Sequence, residues 1–450
     1  RPEPVSELEV ALTASLATPV PDVSFAALKL PQPLLTALER RDIRTPFPIQ
    51  ARTLPDALAG RDLLGRAETG SGKTLAFGLP MLARLSTPGR GSRAAGSPAG
   101  LVLVPTRELA GQVTEVLAPL GQPLGVRVLA VYGGASIGRQ VAALRRGVDL
   151  LVATPGRLLD LVRQGECSLG SVEVTAIDEA DHMADLGFLP DVSRILDLTR
   201  PDAQRLLFSA TLDRGVDRLA RAYLTDPVAI AVAPAAAPVA TMDHLAFAVR
   251  AEDKLAVTTE IAARPARTLL FVRTKHGADR LAKQLARGGV PAAALHGNLA
   301  QGARQRALDA FAAGRSRVLV ATDVAARGIH VDDVDLVVHF DPPTDHKDYL
   351  HRSGRTARAG ARGTVLSLLL PEQVREAGRM HQRAGLTVAA TAVMPGHAAV
   401  VALARSGEPV VAREATAPEA PARATRRPGR GRPSRRRSST PGRREAKPAA

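Results

Sequence analysis

Short apolar runs, each cut off by polar or glycine residues, alternate along this chain with longer amphipathic stretches. In the first half the runs are 62–65, 101–105, 126–132, 150–155, 174–178 and 205–210; in the second half they are 268–274, 291–297, 317–323, 336–341 and 364–370. Continuous rather than alternating apolar character predicts strands covered on both faces, hence mainly parallel sheets flanked by helices, an α/β fold. A Pro/Ala-rich stretch at 231–243 reads as a linker and divides the pattern into two lobes, 24–230 and 244–395. A Gly/Ser/Pro/Arg loop covers 86–100. Residues 1–23 read as a flexible N-terminal extension, and 396–450 as a low-complexity tail of Arg, Pro, Gly and Ala. No fixed-period repeat is visible.

Composition changes this picture in one respect. The 450 residues carry 60 Lys+Arg against 44 Asp+Glu, a net +16 that invites a polyanionic partner. Ten Arg and one Lys against Glu445 place +10 of that charge in residues 421–450, leaving +6 for the first 420. Such a segment buries too little apolar surface to offset chain entropy, so the tail is expected to be disordered and to add affinity for nucleic acid. With Phe 9, Tyr 3 and Trp 0, recognition by stacking bases on aromatic platforms is disfavoured, and a bound nucleic acid would be held by its backbone. The lone cysteine, Cys167, excludes an internal disulfide and fits a reducing, cytoplasmic setting. No run reaches the roughly 17–25 apolar residues of a membrane span, so no membrane role is expected.

The unusual residues fall where strands end, which is where open parallel sheets bind ligands. Residues Ala67, Glu68, Thr69, Gly70, Ser71, Gly72, Lys73 and Thr74 form a phosphate-binding loop with Ala in place of its first Gly. The Gly-rich backbone can cradle phosphates, Lys73 can reach the outer ones, and the Thr74 hydroxyl can ligate Mg²⁺. Asp178 ends an apolar run, as a carboxylate holding Mg²⁺ largely through water must, and Glu179 beside it can orient or deprotonate an attacking water. ATP and Mg²⁺ are the cofactors this pair implies.

Further signatures come in order along the chain: Thr45-Pro-Phe-Pro-Ile-Gln50, Pro105-Thr-Arg-Glu-Leu-Ala110, Gly133-Gly134, Thr154-Pro-Gly-Arg157, Ser209-Ala-Thr211, His296-Gly297, Ala321-Thr-Asp-Val-Ala-Ala-Arg-Gly328 and His351-Arg-Ser-Gly-Arg-Thr-Ala-Arg358. From about Phe25 to Leu370 the chain resembles the DEAD-box ATP-dependent RNA helicases of superfamily 2, and its Ala/Arg/Gly-rich composition points to the bacterial type. The resemblance implies two tandem RecA-like domains and an RNA-dependent ATPase that unwinds short duplexes or remodels RNA–protein complexes, with ribosomal or RNA-decay assemblies as partners. By the same resemblance Gln50 reads the adenine edge and Phe25 stacks on it. Arg355 and Arg358 are arginine fingers, and Asp181, Ser209, Thr211 and His351 couple nucleotide state to RNA grip. Arg107, Gly134, Thr154, Arg157 and Thr322, with Lys275 and Arg304, hold the RNA backbone.

The sequence departs from the family pattern at four places. Phe47 stands where Thr is usual, Asp42 where Gly is common, Ala357 where Gly is usual, and His330 where an Asp contacts the ATP ribose. The Ala357 methyl is expected to be tolerated as a gain in helix propensity. His330 would lose its acceptor capacity on protonation near pH ~6.5, weakening closure in acid. Two alternatives keep the same motifs: an ATP-dependent RNA clamp that does not unwind, and a DNA helicase of the same superfamily. The remaining histidines, His182 among them, show no metal-ligand spacing and read as ordinary structural residues.

Overall fold

The computed structural model describes residues 6–68, 70–86, 94–232, 242–326, 334–357 and 362–407. The first lobe contains β1 (Leu63–Arg66), β2 (Gly100–Leu103), β3 (Val128–Val131), β4 (Leu150–Ala153), β5 (Val174–Ile177), β6 (Gln204–Ser209) and β7 (Val228–Ala231). The second contains β8 (Met242–Ala248), β9 (Thr268–Phe271), β10 (Ala292–Leu295), β11 (Val318–Ala321), β12 (Leu336–His339), β13 (Gly363–Leu369) and β14 (Ala390–Ala392). Every pairing is parallel, in the orders β3-β4-β2-β5-β6-β1-β7 and β10-β11-β9-β12-β13-β8-β14. Numbered from its own first strand, each sheet has the same order, so the lobes repeat one topology although the sequence shows no period.

Neighbouring residues of one strand enter opposite cores. Val102 packs with Leu63 and Phe77 on one face, while Leu101 and Leu103 pack with Leu64 and Leu158 on the other. In the second lobe Leu270 and Val320 face one cluster, and Leu269, Phe271 and Leu319 the other. Both faces of each sheet are covered, which is why the strands read as unbroken apolar runs.

Three expected boundaries move. The N-terminal stretch contains a helix, Glu7–Leu16, capped by the Ser6 hydroxyl accepting from the Glu9 N–H (3.1 Å) and seated on β7. Its Leu12 is fully buried, Arg66 Nη1 donates to Glu9 (2.5 Å), and the Ser15 hydroxyl accepts from Arg52 (2.7 Å) and the Ala231 N–H (3.0 Å). The stretch is ordered because β7 lies at the edge of the sheet and its outer side needs cover. The 231–243 segment starts inside β7 and ends inside β8, and residues 233–241 lie outside the described residues. At the other end, helix Ala398–Ala404 packs on helix Lys254–Ala262, and Arg264 donates to both oxygens of Asp335 (2.8 and 2.9 Å) and to the Ser406 carbonyl (3.2 Å). Lobe structure therefore continues past residue 396; the basic stretch 408–450 lies outside the described residues.

Candidate functional site

The carboxyl ends of β1, β5 and β6 meet at one place. After β1, Gly70 and Gly72 both sit at φ +90°, a conformation open to glycine without strain, and Gly72 caps helix Lys73–Leu85. A Cβ on Gly72 would stand 2.4 Å from Gln50 Nε2 and 2.5 Å from the Phe47 ring, so the loop and the Gln50 segment are in direct contact. Lys73 Nζ, nearly buried, donates to the Ala67 carbonyl (3.2 Å) and lies 3.7 Å from Asp178 Oδ1. Gln50 donates to the Gly72 carbonyl (2.9 Å) and accepts from the Phe47 N–H (2.9 Å). Each end of the amide keeps one more hydrogen or lone pair, which is what reading an adenine edge requires. Phe25 is 3 % exposed, packed in the first-lobe core.

Asp178 and Glu179 are both buried at the end of β5. Burial raises the Asp178 carboxyl to about 6, with Lys73 offsetting part of that rise and Glu179 adding to it. A carboxylate buried with only partial compensation fits a divalent cation, with Thr74 as the neighbouring hydroxyl donor. Among the described residues no group of three or more His, Cys, Asp or Glu side chains could hold a metal.

Glu179 has φ +52°, ψ +52°, a strained conformation for a residue with a side chain, and it caps the short helix Ala180–Asp185. Its N–H donates to Asp178 Oδ1 (2.9 Å). Burial alone would push its carboxyl up. The hydrogen bond from His182 and the charges of Lys73 and of Arg355 outweigh burial and hold it well below the ordinary carboxylate range. Asp181 completes the cluster: Oδ2 accepts from the Thr211 N–H (2.9 Å) and hydroxyl (3.1 Å), and its own N–H donates to the Ser209 hydroxyl (3.2 Å).

The second lobe brings Arg355 close enough for its charge to act on Glu179. Arg355 shares a small cavity with His351, Arg352, Asp323 and Phe271. Arg352 is buried, donates through Nε and Nη2 to both oxygens of Asp323 (2.5 and 2.8 Å) and through Nη1 to the Asp341 carbonyl (2.7 Å). A fork held this rigidly fixes helix His346–Ser353, which carries His351. Ala357 corrects an expectation: at φ +54° it lies outside any helix, so its methyl adds strain of order 1 kcal/mol instead of helix propensity. Asp42 also stands in the left-handed region, at φ +55°. At both positions a glycine would be unstrained.

Residues expected at RNA gather beyond β2, β3 and β4. The Arg107 guanidinium lies so close to the Gly134 backbone that a Cβ there would meet Nη1. Arg157 donates to the Ala135 carbonyl (3.2 Å) and to Gln140 (3.0 Å), and Thr154 caps helix Pro155–Arg163. In the second lobe Thr322 comes directly after β11, and Lys275, donating to Asn298 (3.1 Å), opens the helix after β9. Arg304 is placed otherwise: it is buried, and its Nε donates across the lobes to Glu108 (2.8 Å), which also accepts from Gln301 (3.3 Å). Thr69, His330 and Arg358 lie outside the described residues.

Two contacts at these residues lie outside any linear motif. Glu108 stands inside the Pro105–Ala110 motif, but nothing in a linear pattern pairs it with Arg304, 196 residues on. His182, read as structural, contacts Glu179; the helix spacing i, i+3 was the available signal.

Residues 47–219 match the family model of the DEAD/DEAH box helicases, and 253–360 that of the helicase conserved C-terminal domain. The chain is 41% identical over 380 residues to DEAD-box ATP-dependent RNA helicase 30 of Arabidopsis thaliana, covering 83% of this chain and 64% of that one. To the ATP-dependent RNA helicase DBP2 of Scheffersomyces stipitis it is 39% identical over 360 residues, covering 78% of this chain and 67% of the relative. The chain thus spans about two thirds of the length of these two curated relatives. Among solved structures it is similar to Saccharomyces cerevisiae Dbp5 bound to RNA and ADP BeF3, with a TM-score of 0.70, 29% identity and coverage of 82% and 95% of the two chains. Two RecA-like lobes of one topology, an ATP-type phosphate loop facing Asp178 and Glu179, and these matches together place the chain in the DEAD-box RNA helicase family.

Proposed function

We propose that the protein is an RNA-dependent ATPase that hydrolyses ATP to ADP and phosphate and uses the cycle to separate short RNA duplexes. The observation that carries this reading is that the second lobe engages the first: Arg304 donates to Glu108, next to Arg107. ATP and RNA sites then close together. Gln50 orients the base, the loop amides and Lys73 hold the phosphates, and Glu179 aligns the attacking water. A carboxyl held that far below the ordinary range is a weak base, which suits a reaction whose transition state asks mainly for positioning. Thr74 and Asp178 would hold Mg²⁺, which neutralises charge on the phosphates when bound. Arg355 stabilises charge developing on the transferred phosphoryl group. Arg107, Gly134, Thr154, Arg157, Thr322 and Lys275 supply guanidinium, hydroxyl, amide and ammonium donors to the RNA backbone, with no base readout.

Glu179→Gln should keep ATP and RNA affinity while losing about 100-fold or more in turnover. Turnover near wild type removes Glu179 from this role. A short-duplex strand-separation assay with RNA and DNA, with and without ATP, tests unwinding and substrate. Residues 421–450 supply phosphate-neutralising charge, so deleting them should weaken RNA binding and flatten its salt dependence with ATP hydrolysis intact. An unchanged slope of log affinity against log salt removes the tail from RNA binding. Composition supports a bacterial member of the family and Cys167 a cytoplasmic setting; codon usage and cell fractionation respectively check these placements.

A further inference from the structure

We propose that His182 is a positioning residue for hydrolysis: its imidazole holds one oxygen of Glu179 so that the other faces the attacking water. The inference rests on the water-aligning role of Glu179. His182 Nδ1 lies 3.2 Å from Glu179 Oε2, and both residues are buried. Glu179 precedes its helix and lies in the left-handed region, so no regular backbone geometry sets the direction of its side chain. His182, three residues on, supplies a constraint.

His182 is itself well anchored. Its backbone N–H donates to Asp181 Oδ1 (3.0 Å), whose other oxygen holds Thr211. The group that steadies the water-orienting carboxylate is thus tied to the residues expected to couple nucleotide state to RNA grip. An ionised carboxylate only accepts, so Nδ1 carries the hydrogen that meets Glu179. The His182 Nε2 is buried with no hydrogen-bond partner among the described residues. Packing alone does not ask for such an arrangement, because a hydrocarbon ring would fill the space without stranding a polar atom. The Nδ1–H bond to Glu179 accounts for a histidine here.

A group that aligns a reacting water acts in the transition state, so its loss should appear in kcat and not in KM. The test compares His182→Phe, which removes the donor, with His182→Asn, which can present an N–H near the Nδ1 position. RNA-stimulated kcat should fall ~10- to 100-fold in the Phe variant, the scale of a misaligned reactant. KM for ATP, RNA affinity with ADP–beryllium fluoride, and melting temperature should stay near wild type, and the Asn variant should recover most of the loss. In a Glu179→Gln background His182→Phe should cost nothing further in single-turnover hydrolysis, because the residue acts through that carboxylate. If the Phe variant does not fold, His182→Leu takes its place as the non-donor. Wild-type kcat in the non-donor variant, or an equal loss in both backgrounds, overturns the inference. Absence of RNA-stimulated hydrolysis in the wild-type protein would instead overturn the functional reading beneath it.

Discussion

The two lobes share one strand order and differ in the residues that leave each strand. In the first, β1 runs into Gly70, Gly72 and Lys73; its counterpart β8 runs into Val249-Arg250-Ala251-Glu252-Asp253, with no glycine. The strand β5 delivers Asp178 and Glu179 beside Lys73, whereas its counterpart β12 delivers Asp341, whose Oδ2 caps the Arg273 N–H (2.8 Å) and whose carbonyl holds Arg352. An acid at the end of the corresponding strand meets a buried lysine in one lobe and caps backbone in the other. Topology provides strand ends; loop residues decide their use.

The cores differ as well. The first lobe buries Lys73, Asp178, Glu179 and Asp181 at one edge. The second buries neutral rings around Tyr349: His339 at 5.0 Å and His381 at 4.9 Å between centroids, with His244 Nδ1 2.7 Å from the Tyr349 hydroxyl.

The largest effect should come from removing what crosses between lobes. Arg355→Ala should lower RNA-stimulated kcat by about 10³-fold, with lysine a poor substitute for the planar fork. Steady-state kinetics with kcat retained would mean the second lobe is not needed for chemistry.

Breaking the other link should be smaller and act on closure. Glu108→Gln or Arg304→Ala leaves one buried charge without its partner, a loss of about 2–5 kcal/mol in a closed interface. RNA affinity in the presence of ADP–beryllium fluoride should fall by the corresponding factor while ATP affinity of the isolated site holds. Equal affinities in wild type and both variants would show that the pair carries no closing energy.

The smallest effect should separate the lobes by pH. Burial lowers His244 and His339, the latter well below the ordinary value, and brings His381 to about 4; Arg352 adds to the effect on His339. The unfolded chain binds these protons from about pH 6.5 downward. The contribution of His381 to second-lobe stability is therefore full above pH ~6.5, falls between ~6.5 and about 4, and levels off below. Denaturant midpoints at pH 7.5 and 5, for wild type and His381→Phe, check this. A variant that loses as much as wild type on acidification would discharge His381 from the effect.

Fold class was legible because each apolar run of the sequence is a strand packed between helical layers. Three strands fall outside those runs. Val228–Ala231 merged into a Pro/Ala stretch, Met242–Ala248 mixes Asp243 and His244 with its apolar residues, and Ala390–Ala392 is short and exposed, with no apolar contrast to read. The residues that meet at the ends of β1 and β5 were legible because single segments carry them, Gly70–Thr74 and Asp178–Glu179. Arg304 was misplaced because charge announces affinity for an anion without saying which anion, and here a carboxylate of the first lobe stands where phosphate was expected.

The helix Glu7–Leu16 lies wholly upstream of the matched family region, which starts at residue 47, yet it covers an outermost strand. A chain begun at residue 47 would leave β7 as a bare row of backbone donors and acceptors beside the vacated seat of Leu12. Such an edge templates strand addition by another copy. Trimming should therefore show first as loss of solubility, before any loss of ATP binding.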